Sequence, residues 1–263
     1  MYRLTWMSKG AMMAQQNKLD SISNNMANST TTGYKKVNVG FSDLLQDSLD
    51  RRGYPIIDRN NDHLQHSAGV KSTQWVRDNT QGNLLQTGRK TDLALDGEGY
   101  FEVTKSNGEK AYTRDGSFFL DRNGDLVNSN GNYVTITQNG REIKLSQLNL
   151  PISQDKLVIS EDGEVQIYND QKFTTVGKIK VTSFVGNNAL NSIGDNLYVP
   201  KEGAQRYESK DFSVRSGYLE QSNVDLGEEM TELIIAQRAF QLSSNALKTA
   251  DEMWGMVNNL RGR

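Results

Sequence analysis

Leu226, Leu233, Phe240, Leu247 and Trp254 recur every seven residues, and Ala236, Ser243, Ala250 and Val257 repeat that interval three positions further on. A seven-residue apolar repeat held this long keeps one seam in line only where helices wind around each other. The stretch 219–263 is therefore expected to be a long helix lying against other helices. The other end of the chain carries a matching stripe: Met12, Leu19 and Met26 also fall at sevens, with Ile22 between them. The two ends are expected to meet.

Charge supports that pairing. Residues 1–45 hold Arg3, Lys9, Lys18, Lys35 and Lys36 against Asp20 and Asp43. Residues 219–263 reverse the balance, with Arg238, Lys248, Arg261 and Arg263 against Glu220, Asp225, Glu228, Glu229, Glu232, Asp251 and Glu252. Exposed ion pairs contribute only about 0–1 kcal/mol each, so complementary ends set orientation more than strength.

Composition removes several classes of function. A net charge of −2 over 263 residues does not suit a chain that neutralises many phosphates, so no nucleic-acid partner is expected. Cysteine is absent, which excludes thiol catalysis, disulfides and thiolate metal sites and suits an oxidising setting. No apolar run approaches the ~18 residues of a membrane span. The opening residues Met1-Tyr2-Arg3-Leu4-Thr5-Trp6 lack the apolar stretch and cleavage site of a secretory signal, so any export is expected to use another route.

Residues 1–27 are rich in Ala, Met, Gln, Leu and Lys and read as helix; Asn28-Ser29-Thr30-Thr31-Thr32-Gly33-Tyr34 stops it, with Gly33 free to take positive φ. Residues 46–75 are polar and irregular and read as an extended linker. The segment 76–218 changes character. Asp-Gly or Asn-Gly occurs at 96–97, 107–108, 115–116, 123–124, 130–131, 139–140 and 162–163, the dipeptides of tight hairpin turns. Between them lie β-prone runs such as Tyr100–Val103, Ser117–Leu120, Tyr133–Thr137, Glu164–Tyr168 and Ile179–Thr182.

The expected fold is α+β: an all-β central domain (76–218) inserted between an N-terminal helix with its loop (1–45) and a C-terminal heptad helix (219–263). The latter packs with residues 1–27 as a discontinuous, coiled-coil-like domain. Burying large seam residues stabilises by roughly 1.5–3 kcal/mol each, and only where a partner covers them.

Two motifs at opposite ends carry a family resemblance. Asn24-Asn25-Met26-Ala27-Asn28 with Thr32-Gly33-Tyr34-Lys35, and Glu220-Gln221-Ser222-Asn223-Val224-Asp225 with Glu229-Met230 and Ala236-Gln237-Arg238-Ala239-Phe240, resemble the bacterial flagellar rod and hook proteins, the axial family of the basal body. Leu95-Asp96-Gly97-Glu98-Gly99-Tyr100-Phe101, Tyr112-Thr113-Arg114-Asp115-Gly116-Ser117-Phe118 and Ser192-Ile193-Gly194-Asp195-Asn196-Leu197-Tyr198 are similar to its distal-rod branch.

The resemblance implies a non-catalytic structural subunit without cofactor. It would polymerise with itself into a helical tube around the export channel, contact other rod and hook proteins and the export apparatus, and transmit torque outside the cytoplasmic membrane. A proximal-rod or hook-like paralogue is the alternative. A cell-wall-binding β module with an oligomerising stalk is a third reading, from a different class.

The expected subunit interface comprises Met12, Leu19, Ile22, Met26, Leu226, Leu233, Phe240, Leu247 and Trp254. Asn25, Asn28, Gly33 and Tyr34 form the signature loop, which locally is a helix stop; its packing between subunits is implied by the resemblance. Phe41-Ser42-Asp43-Leu44-Leu45 resembles the Phe-x-x-x-apolar element recognised at the export gate, through Phe41 and Leu45, and equally fits an i, i+4 apolar pair on a short helix.

Other constellations read as ordinary structure. His63 and His66 lack a third ligand and read as loop histidines. Asp121-Arg122-Asn123-Gly124-Asp125 has Leu126 where a calcium loop needs Gly, and Asn132 where it needs Glu. Gly97-Glu98-Gly99 lacks the third Gly of a dinucleotide fingerprint. Asp92, Asp96 and Glu98 offer carboxylates for glycoside hydrolysis without a supporting constellation.

Overall fold

The computed structural model describes residues 2–44, 46–48, 65–67, 69–138, 140–148, 156–169, 172–186, 188–209 and 212–261. They fall into two units. The first combines residues 1–26, 37–76 and 225–263, and the second residues 27–36 and 77–224.

In the first unit, α1 (Tyr2–Ala27) and α2 (Leu226–Arg261) are the helices expected from the two ends. Asp225 starts α2: its Oδ1 accepts the N–H of Gly227 at 2.7 Å and of Glu228 at 3.2 Å, and Glu228 and Glu229 lie at the positive end of the helix dipole. The helices run antiparallel. Asn25 reaches Glu229, Lys18 pairs with Glu232 at 2.6 Å, and Met7, Ser8 and Ala11 line one groove with Leu242, Ser243 and Ala246.

A two-stranded ribbon of Val37–Asp43 and Val70–Arg77 packs on α1. Asn17 donates to Ser72 Oγ at 2.7 Å, and Ser21 donates to the Val37 carbonyl at 2.6 Å. Strand Val70–Arg77 thus occupies the end of the stretch expected as linker, while residues 49–64 lie outside the described residues.

The regular elements described in the second unit are all strands except for a 3₁₀ turn at Leu145–Leu148. Among the described residues, nine strands form its largest sheet. Leu190–Gly194, Leu197–Pro200, Lys110–Thr113, Tyr100–Thr104, Tyr133–Val134, Leu126–Asn128 and Phe118–Leu120 follow one another, with Val181–Phe184 bridging Tyr100–Thr104 to Arg206–Glu208. Five more strands, in the order Arg141–Ile143, Ile136–Gln138, Lys172–Ile179, Glu164–Asn169 and Leu157–Ile159, form a second sheet. Every β-prone run named above falls on these strands apart from Ser117, Thr135 and Lys180, and Phe101, Val103, Phe118, Leu126, Leu157 and Ile179 share one fully buried core.

Of the seven Asp-Gly or Asn-Gly turns, those at 107–108, 123–124, 130–131, 139–140 and 162–163 join strands that pair antiparallel, each with its glycine at positive φ. The other two do something else. Strand Leu93–Gly97, which ends at Asp96-Gly97, pairs with Phe212–Ser216 rather than with the strand that follows it. Gly116 does not take positive φ; a Cβ there would stand 1.5 Å from the Leu93 carbonyl oxygen, so glycine is required by close backbone approach.

Candidate subunit interface and its anchor

The pairing of α1 with α2 is built on small and polar side chains. Ala236 and Ala250 are fully buried, in register with the buried carboxylate of Glu229 seven residues before Ala236. From α1, Ser8, Ala14, Ser21, Ile22 and Asn25 are buried. Asn25 uses both faces of its amide. Its Oδ1 accepts the Val37 N–H at 2.9 Å, and its Nδ2 donates to the Val37 carbonyl at 3.0 Å and to Glu229 Oε2 at 3.2 Å. Small residues let backbones approach, and a satisfied buried amide fixes register more than it adds stability.

The large heptad residues sit beside this stripe. Leu233, Phe240, Leu247 and Trp254 are half-buried, as are Met12, Leu19 and Met26, while Ile22 is buried and Leu226 exposed. The seam this chain closes by itself is therefore the Glu229/Ala236/Ser243/Ala250 line, one helix edge away from the larger side chains. Two helices and a ribbon cannot enclose both. On the opposite side of α2, at 3.6 residues per turn, lie Met230, Ile234 and Met256, which are 52%, 58% and 59% exposed. Between them the same side carries Arg238, Gln241, Asn245, Lys248 and Glu252, so Met230 with Ile234 and Met256 are two separate exposed apolar patches near the ends of the helix.

In the second unit the signature loop is held by its own chain. Gly33 takes φ +67°, its N–H donates to the Glu220 carbonyl at 2.8 Å, and a Cβ there would stand 2.4 Å from the Asp115 nitrogen. Thr32 donates to Asp115 Oδ1 at 2.7 Å and accepts, through its carbonyl, from Asn196 at 3.0 Å. Burial pushes the Asp115 carboxyl up from its ordinary range, opposed by the bonds from Thr32 and the Ser117 N–H. Tyr34 is buried, and Asn28 accepts from the Thr31 N–H at 3.1 Å.

Lys35, the next residue, enters an ionic cluster whose members are almost wholly buried: Lys35 at 2%, Arg114 at 4% and Glu220 at 1% exposure. Lys35 Nζ donates to Glu220 Oε1 at 2.6 Å and to the Thr80 carbonyl at 2.7 Å. Arg114 Nε donates to Glu220 Oε2 at 2.6 Å, and its Nη1 and Nη2 donate to the carbonyls of Gly99 and Gly97. Burial, opposed by Glu220 and reinforced by the Arg114 charge, pushes the Lys35 ammonium below the ordinary lysine range. Two cations share one carboxylate, and each donor or acceptor lost here stays out of water.

Sequence reasoning placed Lys35, Arg114 and Glu220 in family-like motifs without giving them work. A detectable signal was there: Arg114 follows Ala111-Tyr112-Thr113 in a buried strand, where a cation needs a partner.

The remaining candidates resolve individually. Phe41 lies in strand Val37–Asp43 at 41% exposure, so it is not on a short helix; Leu45 lies outside the described residues. His63 also lies outside them, and His66 falls in strand Gln65–Ser67. Asp121–Asp125 closes a hairpin turn through the Asp121 N–H to the Asp125 carbonyl at 2.9 Å. Asp92 and Asp96 each face an arginine, Arg89 and Arg215 respectively, at 2.7–2.9 Å. Among the described residues no three His, Asp or Glu side chains converge to hold a metal, and no helix is long and apolar enough to cross a membrane.

Comparison with known proteins matches the chain in three segments. Residues 7–35 match the family described as "Flagella basal body rod protein", 94–167 the "Flagellar hook protein FlgE/F/G D1 domain", and 215–260 the "Flagellar basal body rod FlgEFG protein C-terminal". The chain is 36% identical to the flagellar basal-body rod protein FlgG of Bacillus subtilis (strain 168), over 99% of this chain and 100% of that one. It is 34% identical to FlgG of Borreliella burgdorferi, over 99% of each. The flagellar hook-basal body complex protein FlhP of Bacillus subtilis is 30% identical over 94% of each chain.

Proposed function

We propose, for a chain that belongs to the FlgG family of flagellar basal-body rod proteins, that it is a distal-rod-like structural subunit polymerising into a helical tube around the export channel. The observation that carries this reading is the exposed apolar patches of α2 on the side away from its buried alanines. Met230 with Ile234 near the start of α2, and Met256 near its end, face away from the seam that the chain closes on itself and offer surface for a helix of another copy. When that helix belongs to the next copy, the contact joins two different surfaces. Contacts of that kind repeat into a helical filament unless the rotation closes.

In this role the terminal helices surround the export channel, and torque passes from motor to hook through the wall. Other rod and hook proteins meet the two ends of the stack. Export proceeds through the flagellar apparatus with Phe41 as part of the recognition element, placing the assembled subunit outside the cytoplasmic membrane. The greater identity to FlgG than to FlhP favours the distal rod over a paralogue.

Ile234→Asp tests the reading. The side chain is exposed in the single chain, so helix content by circular dichroism should stay at the wild-type level, while filament formation and motility are lost through a carboxylate forced against an apolar partner. A motile strain carrying this substitution would remove the assembly role of that face.

A further inference from the structure

The chain passes between its two units after Met26, Lys36, Val76 and Val224. Within the second unit, the segments next to the last three crossings are tied to each other by two side chains of one short stretch. Asn223, one residue before the final crossing, accepts the Lys36 N–H at 2.7 Å and donates to the Asp78 and Thr80 carbonyls at 3.1 Å each. The Asp78 N–H donates to the Lys36 carbonyl at 2.8 Å, closing the triangle. Below it, Glu220 accepts from Lys35 and from the Gly82 N–H at 3.0 Å, and Lys35 also bonds the Thr80 carbonyl. Residues 33–36, 78–82 and 220–223 are thereby laced together without a long run of strand pairing among them.

We infer that Glu220 and Asn223 are positioning residues that clamp these three segments of the second unit into one fixed backbone geometry. Connections of this length and polarity are ordinarily the softest parts of a fold. Here each has a buried or half-buried anchor, and the two anchors differ in kind. Glu220 supplies a carboxylate that neutralises buried cations, so its removal leaves charge behind. Asn223 supplies an amide with an acceptor for the first segment and donors for the second, a combination that neither Asp nor Ala reproduces. The purpose of the clamp rests on the reading as a torque-bearing subunit, in which these segments must hold their shape under load; its existence does not.

Hydrogen–deuterium exchange on the dilute, full-length, unpolymerised chain tests it. In Asn223→Ala and Glu220→Gln, amides of Lys35–Lys36, Asp78–Gly82 and Ser222–Val224 should exchange about tenfold faster, while Tyr100–Thr104 and Lys110–Thr113 stay as protected as in the wild type. Unchanged exchange at the three segments in Asn223→Ala, or an equal rise across the whole β unit, would overturn the clamp. Because Asn223 is half-exposed, its variant decides the matter even where Glu220→Gln unfolds. Loss of the rod reading would show in motility instead, and would leave the exchange pattern standing.

Discussion

Arg114 and Glu220, 106 positions apart, form a buried ion pair whose Nε–Oε2 distance is 2.6 Å, and Lys35 completes the same carboxylate from a third part of the chain. The pair joins the strand segment around Arg114 to the end of the β unit. Its energetic weight lies in the cost of separating the partners, because either charge left alone remains out of water.

Glu220→Ala should therefore destabilise the β unit by about 3–5 kcal/mol, the usual consequence of stranding buried charge. Replacing Lys35, Arg114 and Glu220 together by apolar residues of similar volume should cost less than that single change. Urea unfolding followed by circular dichroism compares the two; a triple variant weaker than Glu220→Ala would contradict the account.

Three glycines should rank by their surroundings. Gly116→Ala would put a methyl group on the Leu93 carbonyl and should leave no folded β unit. Gly33→Ala combines φ +67° with backbone 2.4 Å away and should cost at least the ~1–3 kcal/mol of a strained left-handed residue. Gly88 also has positive φ, +76°, but nothing within 4 Å, so Gly88→Ala should cost about 1 kcal/mol. Thermal melts of the three variants give the order directly.

At the helix pair, Asn25→Ala should cost about 1–3 kcal/mol, because the Val37 N–H and carbonyl lose their side-chain partners and Glu229 loses a donor. Asn25→Asp should be worse at neutral pH, since it sets a second carboxylate beside a buried one. Ellipticity at the helix band during unfolding reports both.

Burial pushes the Tyr100 phenol up to about 12, with Tyr198 adding to the shift and Arg77 opposing it. Its folded value lies above the unfolded value of 10.0, so the folded state holds the proton longer. The linked stability is fully present below pH 10 and is lost as the pH rises toward 12, an effect on the order of 2 kcal/mol. Tyr100→Phe should flatten that part of the alkaline stability curve, even though it also removes the 3.1 Å bond to Asn79. An alkaline transition identical in both proteins would show that this phenol does not set it.

Much of this fold was legible from local chemistry. Five Asp-Gly or Asn-Gly pairs mark real hairpins because positive φ at the second position is a local demand. Asp115-Gly116 looked the same and is different: its glycine answers to Leu93, a neighbour fixed only by tertiary structure. The heptads gave both helices, yet period alone could not say whether the small or the large stripe is closed within the chain. Ala236 and Ala250 are buried, while Phe240 and Leu247 are only half-buried. Lys35, Arg114 and Glu220 stayed illegible as a unit, since each looks like a surface charge until long-range folding brings the three together.

The order of these residues along the chain has a consequence for how a growing or threading polypeptide matures. Both cations precede their shared carboxylate, Arg114 by 106 positions and Lys35 by 185. A chain cut short before Glu220 would leave Arg114 and Lys35 without their carboxylate, and its β unit should be destabilised accordingly. Glu220 thereby ties closure of the β unit to the arrival of its own last strand.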